Sequence, residues 1–129
     1  MKKIKLNIED FFNIPTAVIY NPDYLKSIYH ISIDSRNIRK NTLFIAIKGE
    51  RLDGHNFVDA AVKNGAAAIM INSKYLPKIK DYNLTIITVK DTTIALGEVA
   101  KLWREKLKTK IIGITGSAGK TTTKEILAS

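Results

Sequence analysis

At 129 residues the chain has room for one ordinary domain with a real core, or for a smaller domain plus a fragment. Its 45% hydrophobic and 26% charged residues read as soluble and globular, and the absence of cysteine excludes disulfides and thiolate metal sites. The net charge of +9 comes mostly from scattered lysines, with only four arginines (Arg36, Arg39, Arg51 and Arg104), so it reads as a solvated face that helps attract anionic ligands rather than as a nucleic-acid surface.

Asn7 is placed to cap a short helix, with Asp10 three residues on and Phe11, Phe12 and Ile14 giving it an apolar side. Pro15 and Pro22 punctuate the next segment, and Ala17 to Tyr20 between them reads as a short strand. Ser27 to Ile33 alternates in part and predicts a second strand, ending at Asp34-Ser35-Arg36. Leu43 to Ile47 is a near-continuous apolar run, the pattern of a strand covered on both faces. A polar, glycine-containing loop follows from Lys48 to His55. Phe57, Ala60, Ala61 and Gly65 then fit one helical face, which Asn64-Gly65 stops.

Ala67 to Ile71 predicts another buried strand, Lys74 to Asn83 a polar loop holding Pro77, and Thr85 to Val89 a β-branched strand. Asp91 caps a long amphipathic helix whose expected buried stripe is Leu96, Val99, Ala100, Trp103 and Leu107. Strands alternating with helices predict an α/β fold, layered around a mixed or largely parallel sheet. The expected core is Phe44, Ile45, Ile47, Val62, Ile69, Ile71, Ile86 and Val89. The preferred boundary lies near Lys90, giving a domain over 1–90 and a second unit over 91–129.

The second unit carries the strongest motif. Ile111 to Thr115 reads as an apolar strand that feeds Gly116-Ser117-Ala118-Gly119-Lys120-Thr121-Thr122 and a helical pattern beyond it. Small residues let backbone N–H groups turn inward around phosphates, and the helix N-terminus adds its positive dipole end. Lys120 would meet the β/γ-phosphates of ATP and Thr121 a Mg²⁺ ion. Ile114 stands where the strict phosphate-loop pattern has its first glycine, so a Gly-rich turn between strand and helix is the alternative. Nine residues follow Lys120, too few for the neighbouring strands, the acidic metal ligand and the groups that position a nucleophile. The expectation is a truncated strand-loop-helix, its apolar strand covered by the long helix with some help from self-association.

Two polar clusters fall at strand ends, where α/β folds bind ligands. One is Asp34-Ser35-Arg36. The other holds Lys48, Gly49, Arg51, Asp53, Gly54 and His55, followed by Asn56. Together they offer cations for a diphosphate, hydroxyl and amide groups for a base or sugar edge, and glycines for close approach. Each also has a plain structural reading: Asp34 and Asp53-Gly54 as turns, and His55 as a helix cap. Neither contains a nucleophile paired with a base.

His30 to Arg36, Leu43 to Phe57, Ala60-Ala61, Asn64-Gly65-Ala66 and Gly113 to Glu125 resemble the Mur ligases of peptidoglycan synthesis. The resemblance implies three domains: an N-terminal one for the UDP part of the substrate, a central ATPase, and a C-terminal one for the incoming amino acid or dipeptide. It implies acyl-phosphate formation from a peptide carboxylate and ATP, followed by attack of an amine. Carried over, Gly116 to Thr122 is the ATP loop with Thr121 toward Mg²⁺, while Ser35, Arg36 and the Lys48 to His55 loop match the segments that contact the UDP-sugar. Asp53-Gly54-His55 and Thr123-Lys124-Glu125 resemble the branch that joins D-alanyl-D-alanine to UDP-N-acetylmuramoyl-tripeptide. The branch that adds the third peptide residue is the alternative, as is a stand-alone UDP-sugar-binding module. Most of the central domain and all of the C-terminal one are missing from this pattern, so the chain by itself is expected to be inactive.

The N-terminus, Met1-Lys2-Lys3-Ile4, lacks the apolar stretch of a secretory signal, and the longest apolar run, Ala66 to Ile71, is too short to span a membrane. A cytoplasmic protein, monomeric or weakly self-associating, is expected.

Overall fold

The three central runs of β-branched and apolar residues become strands here because each can bury both of its faces. The computed structural model describes residues 5–25, 27–79 and 82–115, with side chains to residue 107. In chain order it contains α1 (Ile8–Phe11), β1 (Val18–Tyr20), β2 (His30–Ser32), β3 (Thr42–Ile45), α2 (Val58–Lys63), β4 (Ala68–Asn72), β5 (Thr85–Val89) and α3 (Thr92–Thr115). Short 3-10 turns occupy Pro22–Tyr24, Gly54–Phe57 and Ser73–Lys78. The five strands form one sheet in the order β1-β5-β4-β3-β2. β2, β3, β4 and β5 are mutually parallel, and β1 closes the far edge antiparallel to β5. The mixed, largely parallel α/β sheet expected from the sequence is therefore present.

Side-chain alternation along the central strands divides the core in two. Leu43, Ile45, Ala68, Met70, Ile87 and Val89 face one side, where they meet Leu6, Phe11, Ile14 and Ile28 together with Ala95 and Val99 of α3. Phe44, Ala46, Ile69, Ile71 and Ile86 face the other, against Val58 and Ala61 of α2. Of the expected core, Phe44, Ile45, Ile69, Ile71, Ile86 and Val89 are buried, while Ile47 and Val62 lie half-buried at the margin. The start of α1 is set by Asp10, whose carboxylate accepts the Asn7 backbone N–H at 2.7 Å. α2 stops where anticipated, with Gly65 at φ 102°, a conformation that costs glycine little.

α3 departs from the sequence reading in two ways. It begins as expected, with the Asp91 carboxylate accepting the Thr93 N–H at 2.8 Å. Its buried stripe, however, is Thr92, Ala95 and Val99, flanked by half-buried Leu96, Leu102 and Trp103, whereas Ala100 and Leu107 are exposed. The stripe is rotated because the helix packs over the small Ala68 and beside α1, where Lys106 reaches Asp10 at 3.0 Å. The second departure concerns Ile111 to Thr115, expected as a strand and found as the last turns of the same helix. An isolated strand would leave its N–H and C=O groups unpaired, while a helix satisfies them internally. No strand among the described residues lies beside it to offer a ladder. The phosphate-loop residues Gly116 to Thr122 lie outside the described residues.

Because Ala95 and Val99 complete one half of the core, the first turns of α3 pack as part of the sheet domain. A chain ending at Lys90 should still unfold cooperatively but be less stable than one ending at Leu107. Burial of Val99 alone accounts for about 1.5–3 kcal/mol. Urea midpoints of the two chains check this, and equal midpoints would remove α3 from the core.

Candidate functional site

All four parallel strands end on the same edge of the sheet, so the loops after β2 and β3 are neighbours in space. That juxtaposition brings the two polar clusters to one cleft of about 660 Å³. Asp34, Ser35 and Arg36 form one wall, and Leu52, Gly54 and Phe57 another. Its rim is unusually apolar for a polar loop region: Ile33, Leu52 and Phe57 are 54%, 67% and 39% exposed. Large apolar side chains grouped in a concave, solvent-facing place suit the flat face of a ring or a sugar.

The Asp34 loop is an Asx turn, so the plain reading of Asp34 holds as well. Its carboxylate accepts the Arg36 backbone N–H at 2.9 Å and grips the guanidinium through Nε and a terminal nitrogen, both at 3.1 Å. The side-chain hydrogen bond from Arg36 lowers the Asp34 pKa, and Asp34 in turn raises that of Arg36. Both groups are exposed, and the Arg36 donors not used by Asp34 remain for another acceptor. Ser35 is buried, and its carbonyl accepts the Asn64 side-chain amide at 2.7 Å, which ties the loop to the end of α2.

Lys48, Gly49 and Arg51 lie on an exposed turn beside the cleft rather than in its walls. Lys48 pairs with Asp53 as an antiparallel bridge, and the Gly49 N–H donates to the Leu52 carbonyl at 2.8 Å. Gly54 crosses close over the Ala46–Ile47 backbone that follows β3. A Cβ there would stand 2.7 Å from the Ile47 nitrogen and 3.0 Å from its oxygen.

Asp53 and His55 point inward. The His55 side chain is 1% exposed and stacks on Tyr75, with ring centroids 3.9 Å apart. Its Nε2 accepts the Asn72 backbone N–H at 3.0 Å, which places the proton of the neutral ring on Nδ1, 2.6 Å from Asp53 Oδ1. The same oxygen accepts the His55 N–H, and Tyr75 donates to the other oxygen at 2.7 Å. Burial raises the Asp53 pKa, but the hydrogen bonds from Tyr75 and from the backbone and ring of His55 outweigh it and hold the value at about 2. Sequence reading finds no sign of Tyr75 or Asn72, which sit in stretches with no motif, and marks Asn64 only as the end of a helix. An apolar Leu52 inside a run of charges was the available sign of a cleft.

The pattern of the Mur ligase family's catalytic domain matches residues 27–104. The chain belongs to the Mur ligase family. It is 38% identical to the UDP-N-acetylmuramoyl-tripeptide--D-alanyl-D-alanine ligase of Bacillus subtilis over 125 residues, 96% of this chain and 27% of that protein. It is also 43% identical to the UDP-N-acetylmuramoyl-L-alanyl-D-glutamate--2,6-diaminopimelate ligase of Fusobacterium nucleatum, over 70% of this chain and 19% of that one. A crystal structure of MurF from Acinetobacter baumannii superposes with a TM-score of 0.66 at 27% identity, covering 81% of this chain and 22% of that one. This Mur ligase chain thus spans about a quarter of the length of the curated relatives it matches. The matched region takes in β2 to β5, both polar loops and the first half of α3. Among the described residues no helix is long and apolar enough to cross a membrane.

Two outcomes follow from the geometry of the second loop. Gly54→Ala should lower stability by about 1–3 kcal/mol, because the added methyl meets backbone that cannot swing aside, and chemical denaturation reads it. Asp53→Asn should cost about 1.5–3 kcal/mol near neutral pH, the range for hydrogen bonds to a charged group. Since the folded-state pKa of Asp53 is depressed from 3.8 to about 2, its contribution is full above about pH 4 and fades as pH falls toward 2. Thermal melts of both proteins from pH 6 to pH 2 should therefore converge. A constant gap would mean the carboxylate charge does not matter.

Proposed function

We propose that this chain is the substrate-holding part of an ATP-dependent amide ligase, receiving the uridine-diphosphate end of UDP-N-acetylmuramoyl-tripeptide so that D-alanyl-D-alanine can be joined to its peptide. The observation that carries this reading is the meeting of the Asp34–Arg36 and Leu52–Gly54 loops at one cleft on the carboxyl edge of the parallel strands. The similarity to a tripeptide–D-alanyl-D-alanine ligase along 96% of the chain supports the choice of branch. Matches to the diaminopimelate-adding ligases are shorter, at 70% and 74% of the chain.

Within this reading Arg36, held in place by Asp34, presents its free N–H groups to a phosphate oxygen. Lys48 and Arg51 on the adjacent turn add positive potential, and Leu52, Ile33 and Phe57 cover the apolar face of the base or sugar. Gly54 lets the loop lie close enough to the backbone after β3 to leave the cleft open. Residues 1–90 are the proposed substrate domain and 91–129 the start of the ATPase unit, with the first turns of α3 packed on the former. Gly116, Ser117, Ala118, Gly119, Lys120, Thr121 and Thr122 are the residues that would hold ATP, with Mg²⁺ at Thr121. Bound ATP would supply the phosphoryl group that activates the peptide carboxylate. The proposed location is the cytoplasm.

Calorimetry with UDP-N-acetylmuramoyl-tripeptide should show weak binding, reduced about tenfold in Arg36→Ala through loss of a charge-assisted hydrogen bond. Phosphate release with ATP and D-alanyl-D-alanine present should stay at background for the 129-residue chain. Appreciable turnover, or tighter binding of the UDP-dipeptide than of the tripeptide, would overturn the reading in its activity or its branch respectively.

A further inference from the structure

Three loops leave the carboxyl edge of the sheet after β3, β4 and β5, and one group of side chains fastens them together. Asp53 closes the turn after β3, bridging to Lys48. Tyr75 comes from the 3-10 turn after β4 and donates to Asp53. Asn72, the last residue of β4, gives its backbone N–H to His55 and accepts the Thr92 N–H on its side-chain oxygen at 2.8 Å. Thr92 is the first residue of α3. A continuous set of hydrogen bonds therefore runs from the Lys48–Leu52 turn to the start of the long helix.

We infer that Asp53, His55 and Tyr75 are positioning residues, which fix the shape of the Lys48–Leu52 turn and lock it to the first turn of α3. The inference rests on the proposed reading of that turn as nucleotide-contacting, and it assigns His55 a different part from direct contact. With its side chain 1% exposed and both ring nitrogens engaged, His55 has nothing left to offer a ligand. An imidazole suits this place because it puts a donor and an acceptor on opposite edges of a flat ring that can stack on Tyr75. Asparagine can supply only the donor toward Asp53, and glutamine only the acceptor toward Asn72. The carboxylate of Asp53 in turn needs Tyr75 on its second oxygen to stay oriented. The position of each member is thus set by the next.

Amide exchange followed by NMR on the 129-residue chain separates this lock from general stability. Gly49 and Gly54 report on the turn, Asn72 and Thr92 on the helix side, and Ile69 and Ile87 on the core. Tyr75→Phe, which keeps the stacked ring, should speed exchange at Gly49 and Gly54 about tenfold relative to the core. His55→Asn should do so at Asn72 and Thr92, while His55→Gln should spare Asn72 and loosen the turn. Val58→Ala serves as a core-weakening reference that accelerates all six amides together. Uridine diphosphate, titrated by calorimetry, should bind Tyr75→Phe about tenfold more weakly than the parent. Uniform acceleration in every variant, or none in any, would overturn the lock. Unchanged uridine diphosphate affinity with a loosened turn would overturn its part in binding. A parent chain that takes up no uridine diphosphate sinks the cleft reading, and the exchange pattern then decides the lock by itself.

Discussion

Everything in this structure depends on β3, β4 and β5 being buried on both faces. Leu43, Ile45, Met70 and Ile87 on one side and Phe44, Ile69, Ile71 and Ile86 on the other leave these strands no face for water. Parallel strands of this kind cannot be joined by tight hairpins, so the chain must cross over the sheet between them. α2 makes one such crossing, and the longer loops make the others. Each strand then ends on the same edge, and the loops that leave it are gathered there whether or not they are close in sequence. The cleft is a consequence of how the core is covered.

What the edge gathers divides into two chemical kinds. Arg36, Lys48 and Arg51 stay exposed, where hydration keeps their charge inexpensive and an anion can reach them. Asp53 and His55 are turned inward, where a charge or an unpaired ring nitrogen would be costly, and there every polar group is matched. Tyr75 makes this possible by contributing both a hydroxyl and a ring face. A loop that reads as one polar run in sequence thus has an outward half that can meet a ligand and an inward half that holds its shape. The apolar Leu52 between them, 67% exposed at the cleft, belongs with the outward half.

α3 carries this arrangement away from the sheet. Its first turn is fixed by Asp91 and by the Asn72 side chain, and Ala95 and Val99 lie in the core. Beyond Val99 the helix packs on the core through half-buried Leu102 and Trp103, and Trp103, Leu96 and Ile31 line a shallow apolar groove of about 300 Å³. The helix continues through Thr115, and among the described residues no strand outside the five-stranded sheet is present for its last turns to join.

The sequence by itself determined the class of fold, the order of its elements, the residues that cap α1 and α3, and the family. These follow from local rules: apolar runs of four or five residues, caps at fixed offsets, and a glycine where φ turns positive. It also picked out both polar loops as a pair, because both fall at strand ends, where α/β folds bind ligands, although each residue alone reads equally well as a turn or cap. Tertiary structure decided which members of those loops face solvent and which face inward, since that depends on Tyr75 and Asn72, twenty and seventeen residues beyond His55. It decided the rotation of the buried stripe on α3, because Ala68 and α1 determine which side of the helix fits closest, and periodicity fixes only the spacing. It also decided that Ile111 to Thr115 is helical here. β-branched residues favour a strand only where a neighbouring strand can take their hydrogen bonds, and a helix needs no neighbour to satisfy its own.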